Sequence, residues 1–96
     1  MNVSKALSNK REEILRITAA HGARNLRVFG SVSRGEATEK SDIDLLINLE
    51  PGRTLLDIVA IKQDLEDLLG CKVDVVTEDA VSVYIREQIL KDAVSL

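Results

Sequence analysis

Asp42 and Asp44 stand one residue apart in Ser41-Asp42-Ile43-Asp44-Leu45-Leu46, at the point where an apolar run begins. If that run is a strand, its two-residue side-chain period puts both carboxylates on one face and turns Ile43 to the other. Carboxylates crowded side by side repel one another unless a cation lies between them. Mg²⁺ suits the position, because it prefers oxygen ligands and is commonly held by one or two carboxylates together with substrate phosphates. Asp74, the polar centre of Val73-Asp74-Val75-Val76, offers a third carboxylate. On a neighbouring strand it would meet the other two, and such a trio can bind two metal ions, polarise an attacking hydroxyl and stabilise a leaving pyrophosphate.

The segment just upstream supplies what a phosphate needs. Gly30-Ser31-Val32-Ser33-Arg34-Gly35-Glu36 is small and polar and follows a β-prone run. Gly30 removes the Cβ that would keep a phosphate from the backbone, and Ser31 adds a hydroxyl beside the exposed N–H groups. A helical turn starting near Val32 or Ser33 would add the positive end of its dipole. Arg34 suits either a phosphate or a carboxylate partner such as Glu36 or Asp42, since its guanidinium fork fits both. Gly30 and Gly35 have Walker A spacing, but Glu36-Ala37 replace the Lys-Ser/Thr that would touch the phosphates and Mg²⁺, which excludes a P-loop NTPase.

The elements that must position these residues read as helix, strand, loop, strand, helix, strand, helix. Val3 to Gly22 carries Leu7, Ile14 and Ile17 at near-helical spacing, with Gly22 as its stop. Asn25 to Phe29 reads as a strand and Ser31 to Ser41 as a loop. Ile43 to Leu49 is nearly continuous apolar sequence, the pattern of a strand covered on both faces, and Pro51-Gly52 marks the turn after it. Thr54 to Leu69 predicts a helix with Thr54 as N-cap and Gly70 as stop, its face of Leu55, Ile58, Val59, Leu65, Leu68 and Leu69 forming core. Lys72 to Val76 predicts a short strand, and Thr77 or Asp79 caps a last helix bearing Val81, Ile85 and Ile89. Strands separated by helices predict one α/β (α+β) domain over residues 1–96, a small mixed sheet packed by helices.

Composition narrows the function classes. The chain has 96 residues, 45% hydrophobic and 30% charged, enough for one modest core and too little for a multi-domain enzyme. Its net charge of -3 offers no overall positive field for nucleic acid or anionic lipid. Phe29 and Tyr84 are the only aromatic residues, which leaves little for base stacking, so direct nucleic-acid binding is not expected. One cysteine, Cys71, closes no intramolecular disulfide, and with one histidine it builds no Cys/His zinc site. No stretch approaches the about 18 apolar residues of a membrane span, and a cytoplasmic location is expected. His21 reads as a favourable charge at a helix end, Cys71 as a small strand-edge residue, and Tyr84 as a core or partner contact.

Taken together, Gly30-Ser31, Arg34-Gly35 and Asp42-x-Asp44 resemble the signature of the DNA polymerase β-like nucleotidyltransferases. The small size and the run Gly-Ser-x-x-Arg-Gly-Glu-Ala resemble their minimal form, the antitoxins of HEPN/MNT toxin–antitoxin modules. The resemblance runs from Leu26 through the last helix. It implies a nucleotidyltransferase fold and the transfer of AMP from ATP to a tyrosine of a cognate HEPN ribonuclease toxin, in a hetero-oligomer with that toxin. It further implies that Asp42, Asp44 and Asp74 are the metal-binding and catalytic carboxylates, that Mg²⁺ acts as a pair of ions, and that Gly30, Ser31 and Arg34 belong to the nucleotide-binding turn. A non-catalytic antitoxin that blocks its toxin by binding, and a nucleotidyltransferase acting on RNA or a small molecule, are the alternatives. The chain lacks the extra helical domain with which larger relatives hold an acceptor, so the partner is expected to complete the site.

Overall fold

The computed structural model describes residues 3–30 and 42–96. Within them the order is α1 (Val3–Asn9), α2 (Arg11–Ala20), β1 (Ala23–Phe29), β2 (Ile43–Leu49), α3 (Leu55–Leu69) and β3 (Val73–Thr77). A single 3-10 turn (Glu78–Ala80), α4 (Val83–Asp92) and the two-residue β4 (Val94–Ser95) follow. The strands make one mixed sheet in the order β3-β2-β1-β4, in which β2 and β3 are parallel and the other neighbours antiparallel. This is the expected small mixed sheet packed by helices.

The apolar run of β2 takes the inner position because it can be buried on both faces. Ile43, Leu45 and Ile47 are fully covered on one side, and Leu46 is covered on the other. The first three meet Ile14 of α2 and Ile61, Leu65 and Leu69 of α3 in the core, together with Leu26, Val28 and Val73. A parallel pair needs a crossover, and α3 supplies it between β2 and β3. Its start is fixed by a capping box: Thr54 Oγ1 accepts from Leu56 N–H at 3.2 Å, and Asp57 Oδ2 accepts from Thr54 N–H at 3.2 Å. Its end is Gly70 in the left-handed region at φ 70°, as the sequence predicts.

Several details depart from the sequence reading, the added β4 among them. The first helix is interrupted at Lys10, whose ammonium donates to Leu68 O at 2.9 Å and so satisfies a carbonyl left open at the C-terminal end of α3. The last helix is capped by Ser82, which accepts from Tyr84 N–H, because the 3-10 turn after Thr77 intervenes. The leading half of the expected α3 core face is outside the core: Leu55 is 72% exposed, while Ile61, Leu65 and Leu69 are buried. Tyr84 is 92% exposed, which removes the core-packing role.

Candidate active site

The sheet gathers the candidate carboxylates by register. In the parallel pair Asp44 lies opposite Asp74, and in the antiparallel pair Phe29 lies opposite Asp44. The three therefore form one row across β1, β2 and β3, on the face away from Ile43, Leu45 and Ile47. Asp42 stands one residue before β2, exposed, with the strand period placing it on the same face as Asp44. A one-residue bulge in β1 between Arg24 and Arg27, with Asn25 at φ 55°, decides which β1 side chains share that face. An extra residue reverses the faces of everything beyond it, so Arg27 and Phe29 join the row's side.

Gly30 ends β1 at φ 77°, and a Cβ there would fall on the Asp44 carboxylate. The glycine is thus required twice, by its backbone angle and by the approach of Asp44. Ser31 and Arg34, the other two residues of the expected nucleotide-binding turn, lie outside the described residues.

Asp44 is partly buried, and the Asp74 side chain is 45% exposed. Lys62 of α3 reaches across to β3, its Nζ 3.7 Å from Asp74 Oδ1, 3.1 Å from Glu66 Oε2 and 2.6 Å from Val73 O. Glu66 also accepts from Val73 N–H at 3.0 Å, and that bond, followed by the one from Lys62, holds its carboxyl below the usual range. The i, i+4 spacing of Lys62 and Glu66 on a helix is legible in sequence. Their reach onto β3 depends on how α3 packs, and the sequence reading missed it.

A second polar group on the row's side was also missed. The Arg27 guanidinium, 11% exposed, donates to Asn48 Oδ1 at 2.9 Å and Glu78 Oε2 at 3.0 Å, and Asn48 donates to the same Glu78 oxygen at 3.1 Å. These bonds, Asn48 first and Arg27 next, hold the Glu78 carboxyl below its ordinary value. They tie β1, β2 and the 3-10 turn together below the carboxylate row. Beside the row, an apolar groove of about 500 Å³ runs from Phe29 past Val75 and Val76 to Val81, Ile85 and Ile89.

His21 caps α2 and lies 3.4 Å from Asp57 and 3.5 Å from Asp64, a structural pairing away from the row. Cys71 is partly buried in the turn before β3; burial, and then the charges of Asp42 and Glu66, push its thiol up.

The donor chemistry of the row fits Mg²⁺. Asp44 and Asp74 offer carboxylate oxygens from paired positions, with Asp42 beside them. Among the described residues no three His, Cys, Asp or Glu side chains close into a metal cage. A hard, strongly hydrated cation does not need one, since one or two carboxylates and the substrate's phosphates complete its shell.

The nucleotidyltransferase domain family matches residues 9–96. Protein adenylyltransferase MntA of Thermococcus cleftensis is 38% identical over 91 residues, covering 86% of this chain and 92% of its own length. A solved structure called a "putative minimal nucleotidyltransferase" superposes with a TM-score of 0.90 at 50% identity, covering 100% of this chain and 97% of that one. A toxin–antitoxin crystal structure with AMP-PNP shares the fold at a TM-score of 0.76 and 21% identity, covering 88% of this chain and 69% of that one. The chain belongs to the nucleotidyltransferase domain family, in its minimal form.

Proposed function

We propose that residues 1–96 form a single Mg²⁺-dependent protein adenylyltransferase domain that acts in the cytoplasm as an antitoxin. It transfers AMP from ATP to a tyrosine hydroxyl of a HEPN-type toxin. The observation that carries the reading is the register of Asp44 opposite Asp74, with Gly30 opening the space beside Asp44. The protein adenylyltransferase named among the relatives supports protein as the acceptor. The toxin–antitoxin structure with AMP-PNP, which shares this fold, supports a toxin as that protein and an adenine nucleotide as the donor.

In this reading Asp42, Asp44 and Asp74 hold one or two Mg²⁺ ions, which when bound neutralise phosphate charge and polarise the acceptor hydroxyl. Gly30 keeps the Asp44 carboxylate at the mouth of the turn, and Gly30, Ser31 and Arg34 orient the triphosphate by backbone N–H groups, a hydroxyl and a guanidinium. The parallel pairing keeps Asp74 level with Asp44, so both carboxylates would serve the same metal-binding position. The acceptor hydroxyl gives up its proton to solvent as its oxygen bonds to the α-phosphorus, the bond from that phosphorus to the oxygen bridging it to the β-phosphate breaks, and pyrophosphate leaves with that bond's electron pair. The exposed Leu55, Leu56, Val59 and Tyr84 suit a protein partner that completes the site.

Incubation of the purified domain with Mg²⁺, each NTP and its co-expressed partner, read by intact-mass spectrometry, tests this. The expected result is one or more AMP units on the partner, lost with Asp44→Asn. A stable complex with no mass gain would sink the transferase reading in favour of inhibition by binding alone.

A further inference from the structure

We propose that Glu66 and Lys62 are positioning residues for Asp74, acting through the backbone of Val73. The inference rests on the reading of Asp74 as a metal-binding carboxylate. Among the described residues β3 is an edge strand, hydrogen-bonded on one side only, to β2. Lys72 O accepts from Ile43 N–H toward β2 at 3.0 Å, so the N–H and C=O of the next residue, Val73, point to the open edge. Both are met there by side chains of α3: Glu66 Oε2 accepts from Val73 N–H at 3.0 Å, and Lys62 Nζ donates to Val73 O at 2.6 Å. The two side chains are themselves joined at 3.1 Å, so they close the edge as a neighbouring strand would, at one residue only.

That residue precedes Asp74. Val73 is fully buried on the core side, so its peptide is held from the core by its own side chain and from the edge by the Glu66–Lys62 pair. The result fixes where β3 begins opposite β2, and with it the level of Asp74 beside Asp44. Lys62 adds a cation 3.7 Å from Asp74 Oδ1. Groups that orient a metal ligand through a hydrogen bond typically cost about 10-fold or more in metal affinity when removed.

Glu66→Ala removes the acceptor for Val73 N–H together with the carboxylate that pairs with Lys62, leaving Lys62 itself in the chain, and Glu66→Gln keeps an acceptor oxygen for both while discarding the charge. Mn²⁺ titrated into the domain with AMP-PNP, followed by paramagnetic broadening of amide signals at Asp42, Asp44 and Asp74, gives a readout independent of turnover. The expected result is binding about 10-fold weaker in Glu66→Ala, near wild type in Glu66→Gln, and faster hydrogen exchange at Val73 N–H in the alanine variant. In an Asp74→Asn background Glu66→Ala should add no further loss. If Asp74→Asn weakens Mn²⁺ binding and Glu66→Ala does not, the positioning role is overturned while Asp74 stands as a ligand. An equal loss from Glu66→Ala with and without Asp74 also overturns it. If Asp74→Asn binds Mn²⁺ as wild type does, the reading of Asp74 itself fails.

Discussion

Gly30→Ala separates what the glycine does for the backbone from what it does for Asp44. At φ 77° an alanine takes on the left-handed penalty of about 1–2 kcal/mol. Its Cβ would also fall on the Asp44 carboxylate, which must rotate away at a cost of about 1 kcal/mol for an off-rotamer side chain. The sum of about 2–3 kcal/mol corresponds to a fall in Tm of about 10–20 °C for a domain of this size. Gly52→Ala is the control, because Gly52 has φ 88° and nothing within 4 Å of where the new methyl would stand, so only the backbone penalty applies. Thermal melts of both variants, with and without Asp44→Ala, isolate the collision as a coupling of about 1 kcal/mol between positions 30 and 44. In the mass-spectrometric AMP-transfer assay Gly30→Ala should lose about 100-fold, the scale expected when a reacting group is displaced by about 1 Å, while Gly52→Ala keeps its rate. Equal melts for the two alanine variants, with transfer intact in Gly30→Ala, would refute the claim that this glycine exists to make room for Asp44.

Two further outcomes follow from hydrogen bonds outside the row. Thr54→Ala should lower stability by about 1 kcal/mol in a denaturant titration, because it removes the hydroxyl half of the α3 capping box, and Thr54→Ser should restore most of it. Glu78, Glu66 and Asp57 all have folded-state carboxyl pKa values below their ordinary ones, for Asp57 chiefly through Thr54 N–H. A depressed carboxyl contributes stability that is complete above its unfolded pKa and is lost as pH falls through the folded one. Melting temperature should therefore drop as pH falls below about 4.5, and Glu78→Gln should flatten that slope, which a melt series from pH 6 to pH 3 measures.

Elements with strong local signals were the legible ones. The nearly continuous apolar run Ile43 to Leu49, interrupted only by Asp44 and Asn48, pointed to an inner strand, and α3 announces its ends with Thr54 and Gly70. What escaped depends on contacts between distant segments. β4 has two residues and exists because Val94 and Ser95 pair with Val28 and Arg27. The interruption at Lys10 answers a carbonyl of α3. Periodicity assigned Leu55 and Val59 to the core because they repeat with Leu65 and Leu69, but in the structure they are exposed. In the candidate site, the facing of Asp42 and Asp44 followed from the strand period, and the level of Asp74 did not. It needed the parallel register, and the Lys62–Glu66 contact with Val73 needed the helix packed on the edge strand.

The site therefore depends on segments that contribute no carboxylate. A one-residue slip of β3 against β2 would turn Asp74 to the core face and bring an apolar neighbour level with Asp44. The slip is opposed by Val73 in the core, by the hydrogen bond from Ile43 N–H to Lys72 O, and by the two α3 side chains on the open edge. On the other side, the extra residue at the β1 bulge puts Phe29 rather than Val28 on the carboxylate face and brings Gly30 beside Asp44. Register on both flanks of β2 thus converts a two-residue sequence spacing into a three-strand row. Substitutions in the crossover helix or at the bulge should disturb that row as surely as changes to the aspartates themselves.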